Sequence, residues 1–569
     1  MFTERETELF LEGLRTPELV QADTLQRSIV GPNTTSEFGL EHDFAQIRTP
    51  DDYRRAVPIR TYEDYRADID RIVESGAQNV LTAEPVRRFF MTSGSTAKPK
   101  YIPVTSSFTR DKSRAFGIYW SLALAQHPRV TRSSIVTNFS DSGAEVRTPG
   151  GLPASSESAY WGQVTAATQR RSRPIIAKSV AKTKDTEARY YALARLLLEE
   201  DFTGLMTLNP STIYLLFQKM NEHAERLIAD VRAGGVTDDL PLSDEARAYV
   251  RDTYRGNPAR ADALEAARAA AGGQLLASAV WPALQLVVSW RSPMLQPYLR
   301  MLEPHLVGVA GRDYISMASE GIIAVPVQPG ISGGVVANGV HYYEFVPEEE
   351  LDSPSPHALL PHELEVGRTY VTILSTAAGL YRYNIGDVVR VVGFYERTPI
   401  IEFLHRAGNT CSLTGEKLTE AQVSDAVSAA AQAAGVTLTS FTAAPADEGF
   451  PRYVLLVEPT ADMSRAQLER LRDAFEHELD QRNIEYGSKR ESKRLGGPEV
   501  WLVKAGEYAA RRQRRVASGT NDAQFKPTHL TRDSRILREL EVIERVEWPV
   551  RAARLDPLVI ASVELVHVR

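Results

Sequence analysis

The chain has 569 residues, more than one typical core holds, so two or more domains are expected. Hydrophobic residues make up 43% and charged residues 24%, which excludes an intrinsically disordered chain. A formal net charge of −7 gives no overall pull toward nucleic acid or an anionic membrane, so neither is expected as a partner.

The N-terminal run Met1-Phe2-Thr3-Glu4-Arg5-Glu6-Thr7-Glu8 is acidic and carries no apolar signal-peptide core. Cys411 is the only cysteine, so no intrachain disulfide can form and a cysteine-built metal site is disfavoured. A reducing, cytoplasmic location is the resulting expectation.

Val86-Arg87-Arg88-Phe89-Phe90 reads as a short strand, and it feeds Met91-Thr92-Ser93-Gly94-Ser95-Thr96-Ala97-Lys98-Pro99-Lys100. Small side chains let backbone N–H groups and hydroxyls approach an anionic oxygen, and the lysines add positive charge. Strand, small-residue loop and cations together suit a polyphosphate. An ordinary turn with solvated lysines stays open on this segment alone. Ser134-Ile135-Val136-Thr137-Asn138-Phe139 is a candidate strand. Thr148-Pro149-Gly150-Gly151-Leu152-Pro153 reads as a tight turn. Asn209-Pro210 opens a helix, with Asn209 as N-cap and Pro210 at the first helical position. The uncharged stretch from Ala269 to Trp290 is long enough to raise a membrane span. Gly272, Gly273, Gln274, Pro282 and Gln285 interrupt it, so it reads as a helix end followed by the buried strand Leu284 to Trp290.

Tyr314-Ile315-Ser316-Met317-Ala318-Ser319-Glu320-Gly321 offers a strand, a hydroxyl and then a carboxylate. Glu320 is of the type that holds magnesium, which prefers oxygen ligands and bridges phosphates. A solvated glutamate at a strand end is the alternative. Strands are expected at His341 to Phe345 and Tyr370 to Leu374. In Leu380-Tyr381-Arg382-Tyr383-Asn384-Ile385-Gly386-Asp387, Gly386 permits a turn, and Asp387 could accept from both hydroxyls of a ribose. Arg406 follows, then Gly415-Glu416-Lys417-Leu418.

Past about Gly408 the rhythm changes. Thr419 to Ala434 is an alanine-rich helix with Gly435 as its C′ residue. Tyr453 to Val457 is a strand, and Ser464-Arg465-Ala466-Gln467 fits a capping box. Leu468, Leu471, Phe475 and Leu479 recur on one helical face, and Glu499 to Val503 is another strand. Arg511-Arg512-Gln513-Arg514-Arg515 reads as a solvated basic loop, since no aromatic is interleaved with it. Gln524-Phe525-Lys526-Pro527 places a lysine in a late loop.

The Thr92 to Lys100 loop resembles the phosphate loop of adenylate-forming enzymes, Thr-Ser-Gly-Thr-Thr-Gly-x-Pro-Lys. Thr92, Ser93, Gly94, Thr96, Pro99 and Lys100 match; Ser95 stands for Thr and Ala97 for Gly. With the Thr148–Ala154, Tyr314–Glu320, Leu380–Asp387 and Gln524–Lys526 segments in this order, the chain resembles the GH3 family of acyl-acid amido synthetases.

The resemblance implies an α/β fold. A large N-terminal adenylate-forming domain with mixed sheets flanked by helices would span residues 1–407. A small mobile α+β C-terminal domain would span residues 408–569. It also implies ATP and Mg²⁺, with a small carboxylic acid and an amine or amino-acid acceptor as partners. Ser93, Gly94, Ser95, Thr96 and Lys100 would hold the phosphates, and Ser319 and Glu320 would lie at the acyl-adenylate and the metal. Tyr314 would lie beside the adenine, Asp387 would bind the ribose, and Arg406 would stand at the nucleotide near a hinge. Lys526, with Lys100 and Glu320, would be catalytic. The Thr148–Ala154 turn would border the acyl pocket.

Gly408 stands where the superfamily commonly has Asp or Lys, Asn384 where plant members tend to have Arg, and Ser155-Ser156-Glu157-Ser158 replaces an Arg-containing plant stretch. Acyl specificity is therefore not carried over from plant hormone conjugation, and a bacterial-type member is expected. A thiol-using acyl-CoA ligase and a non-catalytic nucleotide-binding homologue remain as alternatives.

Overall fold

The computed structural model describes residues 4–92, 100–137, 139, 145–168, 176–351, 353, 355–407, 410–446, 448–508, 510–511 and 529–549. The expected phosphate-binding residues Ser93, Gly94, Ser95 and Thr96, and Lys526 in the late loop, lie outside them, as does Gly408. Two units separate: residues 1–417 with 491–494, and residues 418–490 with 495–569.

In the first unit, several helices begin where the sequence supplies a cap. Asn209 accepts from Ser211 N at 2.9 Å and Pro210 opens the helix Pro210–Glu222. Thr105 does the same for the long helix Ser106–Gln126, accepting from Phe108 N at 3.1 Å. The stretch that raised a membrane span breaks into the end of helix Pro258–Ala270, the short helix Ala277–Val280 and the strand Leu286–Ser289. Among the described residues, no helix is long and apolar enough to cross a membrane.

Among the described residues, three sheets of four or more strands carry this unit. The strands Ser134–Val136, Phe202–Met206, Leu286–Ser289 and Ala310–Asp313 are all parallel, in that order. Helices cover them, as a parallel sheet requires, and Leu193, Leu216, Phe217 and Trp281 form the core beneath. A second sheet runs Lys100–Val104, Arg88–Thr92, Pro153–Ser155, Val146–Arg147. Its strand Arg88–Thr92 leads directly into the expected phosphate loop, and Phe89 lies opposite Ala154 in parallel pairing. The third sheet has seven antiparallel strands, ordered Tyr342–Pro347, Thr369–Ser375, Tyr383–Tyr395, Thr398–Arg406, Gly334–Val336, Gly321–Val325, Ser316–Ala318.

A buried ion-pair triad locks this third sheet to the N-terminal helices. Glu344 accepts from Nε of Arg382 at 2.7 Å and from Nε of Arg54 at 2.9 Å. The Glu344 side chain is 1% exposed and that of Arg382 7%. Removing either partner leaves an uncompensated buried charge. Arg382 sits at φ +46° and also donates to the Val57 carbonyl at 2.8 Å.

The second unit has the sheet Leu438–Pro445, Tyr453–Pro459, Glu499–Val503, Val542–Val546. The two central strands are parallel, joined through the helix Arg465–Arg482. Thr419 and Gln422 close a capping box on Glu420–Ala434, and Gly435 ends it at φ +67°. Ser464 and Gln467 do the same for Arg465–Arg482, whose Leu468, Leu471, Phe475 and Leu479 are fully buried. Arg511, expected in a solvated basic loop, instead pairs with Glu539 at 2.7 Å with its side chain 12% exposed; residues 512–515 lie outside the described set.

Candidate active site

The site is built on one rung of the seven-stranded sheet. Asp387 and Arg406 are directly opposed across the ladder of Tyr383–Tyr395 and Thr398–Arg406, with Arg406 Nε 3.3 Å from Asp387 Oδ1. Gly386, expected in a turn, lies within the strand instead. Two residues of the Thr369–Ser375 strand, Val371 and Ile373, oppose Val388 and Asn384, so Ile385, Gly386 and Asp387 bulge from the ladder. Gly386 takes φ +77° there, and Asn384 Oδ1 accepts its N–H at 2.8 Å. The bulge turns Asp387 toward Arg406, whose guanidinium also donates to the Ile385 carbonyl. Burial pushes the Asp387 carboxyl up, and the Arg406 and Lys417 charges oppose that push.

Glu320 reaches the same place from the far edge of the sheet. Ser319 and Glu320 form a two-residue connection between Ser316–Ala318 and Gly321–Val325, with Ala318 opposite Gly321. Glu320 is 5% exposed, and the Tyr383 hydroxyl donates to its Oε1 at 3.4 Å. Burial and the Glu320 charge hold Tyr383 well above its ordinary range.

Lys100 opens the strand Lys100–Val104, after the expected phosphate loop. Its Nζ lies 5.1 Å from the Tyr62 ring centroid, and the Tyr62 hydroxyl accepts the Tyr101 N–H at 2.8 Å. Burial lowers the basicity of Lys100 while the Glu320 charge restores it; Arg406 and Lys417 lower it further. Lys100, Glu320, Tyr383, Asp387, Arg406 and Lys417 thus share one electrostatic neighbourhood of mixed sign. A buried carboxylate beside a phenol, in a neighbourhood with three cations, is a hard-oxygen donor suited to magnesium, and the cations suit phosphate.

Tyr314 follows the last parallel strand, Ala310–Asp313, and is 7% exposed. Tyr119 meets it edge-on at 5.3 Å and Phe116 stacks on it at 6.3 Å. The Thr148 turn sits on the phosphate-loop sheet. Thr148 N donates to the Leu152 carbonyl at 2.9 Å, and Gly150 N donates to the Val73 carbonyl at 2.8 Å. Gly150 packs on Gly76, where a Cβ would lie 2.2 Å from the Gly76 nitrogen.

Of the expected residues, the structure brings Lys100, Glu320, Asp387 and Arg406 together, with Ser319 adjacent in sequence and Tyr314 at the end of the parallel sheet. Sequence reasoning missed Tyr383 and Lys417 as site groups. Each stands beside a quoted residue, within Leu380–Asp387 and Gly415–Leu418, but only the fold shows that their charges and hydroxyl reach Glu320 and Asp387. Elsewhere, Glu187, Glu222 and His223 place ligand atoms within 4.8 Å of one another. Glu187 is already paired with Lys219 and His223 at 2.7 Å each, which makes this cluster an ion-pair network.

The chain matches three family descriptions: the GH3 family N-terminal domain over residues 7–309, the central domain over 334–406 and the C-terminal domain over 421–535. It is 25% identical over 558 residues to a jasmonoyl–L-amino acid synthetase of Oryza sativa subsp. japonica, covering 92% of this chain and 94% of that protein. It is 22% identical over 549 residues to a 4-substituted benzoates–glutamate ligase of Arabidopsis thaliana, covering 91% of this chain and 94% of that protein. These plant relatives lend no support to the bacterial-type expectation. A solved structure of the GH3.15 acyl acid amido synthetase in complex with 2,4-DB shares the fold, with a TM-score of 0.62 at 22% identity, over 96% of this chain and 97% of that one.

Proposed function

The chain belongs to the GH3 family, and on that premise we propose that it activates a small carboxylic acid with ATP and transfers the acyl group to an amine or amino acid. The observation that carries this reading is the convergence of Lys100, Glu320, Asp387 and Arg406 from two sheets. The names of the relatives, which are amido synthetases and an acid–glutamate ligase, support the amine as acceptor.

In the first step, a carboxylate oxygen attacks the α-phosphorus of ATP, the bond to the bridging oxygen breaks, and pyrophosphate leaves. Two anions must approach, so the site has to supply positive charge. Lys100 supplies it at the mouth of the phosphate loop. Ser93, Gly94, Ser95 and Thr96 hold the phosphates through N–H groups and hydroxyls, and Lys526 joins the acyl carboxylate to the α-phosphate. Asp387 accepts from the ribose hydroxyls, with Arg406 holding its carboxylate in place. Tyr314 borders the adenine, and Ser319 borders the acyl-adenylate. Glu320 would hold magnesium, which when bound would draw electron density from the phosphate oxygens. In the second step, a neutral amine attacks the acyl carbon, AMP leaves, and the amine gives up a proton. This step is mainly positioning and exclusion of water. A mobile C-terminal domain turning near Arg406 to Asn409 serves both steps, and the protein works in the cytoplasm.

The test is acyl-dependent exchange of pyrophosphate into ATP over a panel of aryl, arylacetic and alkyl carboxylates, followed by product analysis with amino acids, amines and coenzyme A. Exchange with one acid and amide formation with an amino acid or amine is the expected result. Exchange with thioester formation alone moves the protein to the acyl-CoA ligases. Nucleotide binding without exchange makes it a non-catalytic homologue.

A further inference from the structure

Lys112 is a buried lysine that the reading above leaves without a task. It lies in the helix Ser106–Gln126 with its side chain 0% exposed. Its ammonium is 2.5 Å from Oε1 of Glu157, the first residue of the helix Glu157–Thr168. It also donates to the Ala318 carbonyl at 2.8 Å, across 206 residues of sequence. The rings of Phe90 and Phe108 flank it, with centroids at 5.7 and 5.3 Å. Trp161 Nε1 donates to the same Glu157 oxygen at 2.9 Å, so a second donor holds the carboxylate.

A buried ion pair of this kind returns little net stability, because taking two charges out of water cancels most of their attraction. An apolar pair of equal volume would fill the same space. What it could not do is hold a carbonyl. Ala318 is the last residue of its strand, paired with Gly321 across the Ser319–Glu320 connection, so a hold on its carbonyl is a hold on that connection. Glu157 falls in the Ser155–Ser158 stretch where the sequence departs from plant members. It follows the strand Pro153–Ser155 on the phosphate-loop sheet. The pair therefore links the phosphate-loop sheet, through Glu157, to the edge strand that presents Glu320.

We infer that Lys112, held by Glu157, is a positioning residue that acts through the Ala318 carbonyl to fix the Ser319–Glu320 connection and so aims the Glu320 carboxylate. The inference rests on the reading of Glu320 as a site group. Groups that orient a metal-holding carboxylate are worth about 10–100-fold in affinity or activity.

The experiment compares Lys112→Met, Glu157→Gln and the double variant Lys112→Met with Glu157→Leu in the full chain. Melting temperature, amide hydrogen exchange of residues 317–321, and magnesium dependence of pyrophosphate exchange are followed. The single variants leave a buried charge uncompensated and are expected to melt lower. The double variant is expected to melt near wild type. It should nevertheless exchange the 317–321 amides faster, need about tenfold more Mg²⁺ for half-maximal rate, and turn over about 10–100-fold more slowly. A double variant with wild-type amide exchange at 317–321 overturns the inference, as does one with wild-type magnesium dependence. If wild type shows no pyrophosphate exchange with any acid, the functional reading fails. The amide exchange at 317–321 still decides the positioning claim.

Discussion

Asp387 offers the sharpest test of how the site binds nucleotide. Its side chain is 14% exposed and its nearest cation, Arg406, stands at 3.3 Å, so the carboxylate is pre-aimed and little ordering remains to be done on binding. A hydrogen bond to a charged group is worth about 1.5–3 kcal/mol. Asp387→Asn keeps one acceptor oxygen and loses the charge, a cost of about 1.5 kcal/mol, or about tenfold in affinity. Asp387→Ala loses both ribose contacts, about 3 kcal/mol, or on the order of 10²-fold. The ribose takes no part in bond making, so the contact is the same in ground and transition states. The loss should appear in KM for ATP, with kcat changed by no more than about threefold. Initial rates of pyrophosphate exchange over a range of ATP, with circular dichroism to confirm folding, measure both quantities. A folded Asp387→Ala enzyme whose KM for ATP stays within about twofold of wild type refutes the ribose role. A fall in kcat at unchanged KM refutes the uniform-binding argument.

Lys526→Ala should cut pyrophosphate exchange by about 10²–10³-fold at full folding, because it removes a charge contact made to the transition state; full exchange by a well-folded variant would exclude the role. Glu344→Gln should destabilise the first unit by about 3–5 kcal/mol, since it strands the buried Arg382. A urea midpoint equal to wild type would show that the triad contributes nothing. Burial holds the His341 imidazole down to about 3, whereas the unfolded chain takes up its proton near pH 6.5. The folded pKa is depressed, so the stabilising effect of neutral His341 is present above pH 6.5 and is lost as pH falls toward 3, by about 1.4 kcal/mol per pH unit. His341→Phe should flatten the acid limb of a urea-midpoint profile by that slope, and superimposable profiles would sink the assignment.

The parts of the fold that were legible in the sequence are the local ones. Asn209, Ser464 and Gly435 signal helix ends through bonds made within four residues, and the structure uses all three. The strand Glu499–Val503 shows itself as an apolar run, and it is buried throughout. The site was half legible. Glu320 and Asp387 stand in recognisable segments, but their meeting depends on sheet order, which no local pattern encodes. Gly386 shows the limit well. A glycine before an aspartate has the composition of a turn, and only pairing with Thr369–Ser375 makes it a bulge inside a strand. Arg382 shows another, since its motif points to the nucleotide whereas its side chain is spent on Glu344. Lys112 and Glu157 were invisible for the same reason, being 45 residues apart on separate helices and joined only by packing.

The contact between Gly76 and Gly150 governs how this protein can diversify. Gly76 closes the helix Tyr62–Ser75 at φ +69°, and a Cβ on it would lie 2.8 Å from the Gly150 carbonyl oxygen. Two backbones meet there with no room for a side chain, so drift at either position would prise the Thr148 turn from its support. The neighbouring tip is under no such constraint: Pro149 is exposed, and open space surrounds the Cβ position of Gly151, where only the φ of +84° favours glycine. On the reading that the Thr148 turn borders the acyl pocket, a laboratory library aimed at new carboxylic acids would randomise Pro149 and Leu152 while holding both packed glycines fixed. Substrate range could then change on a turn whose anchorage does not.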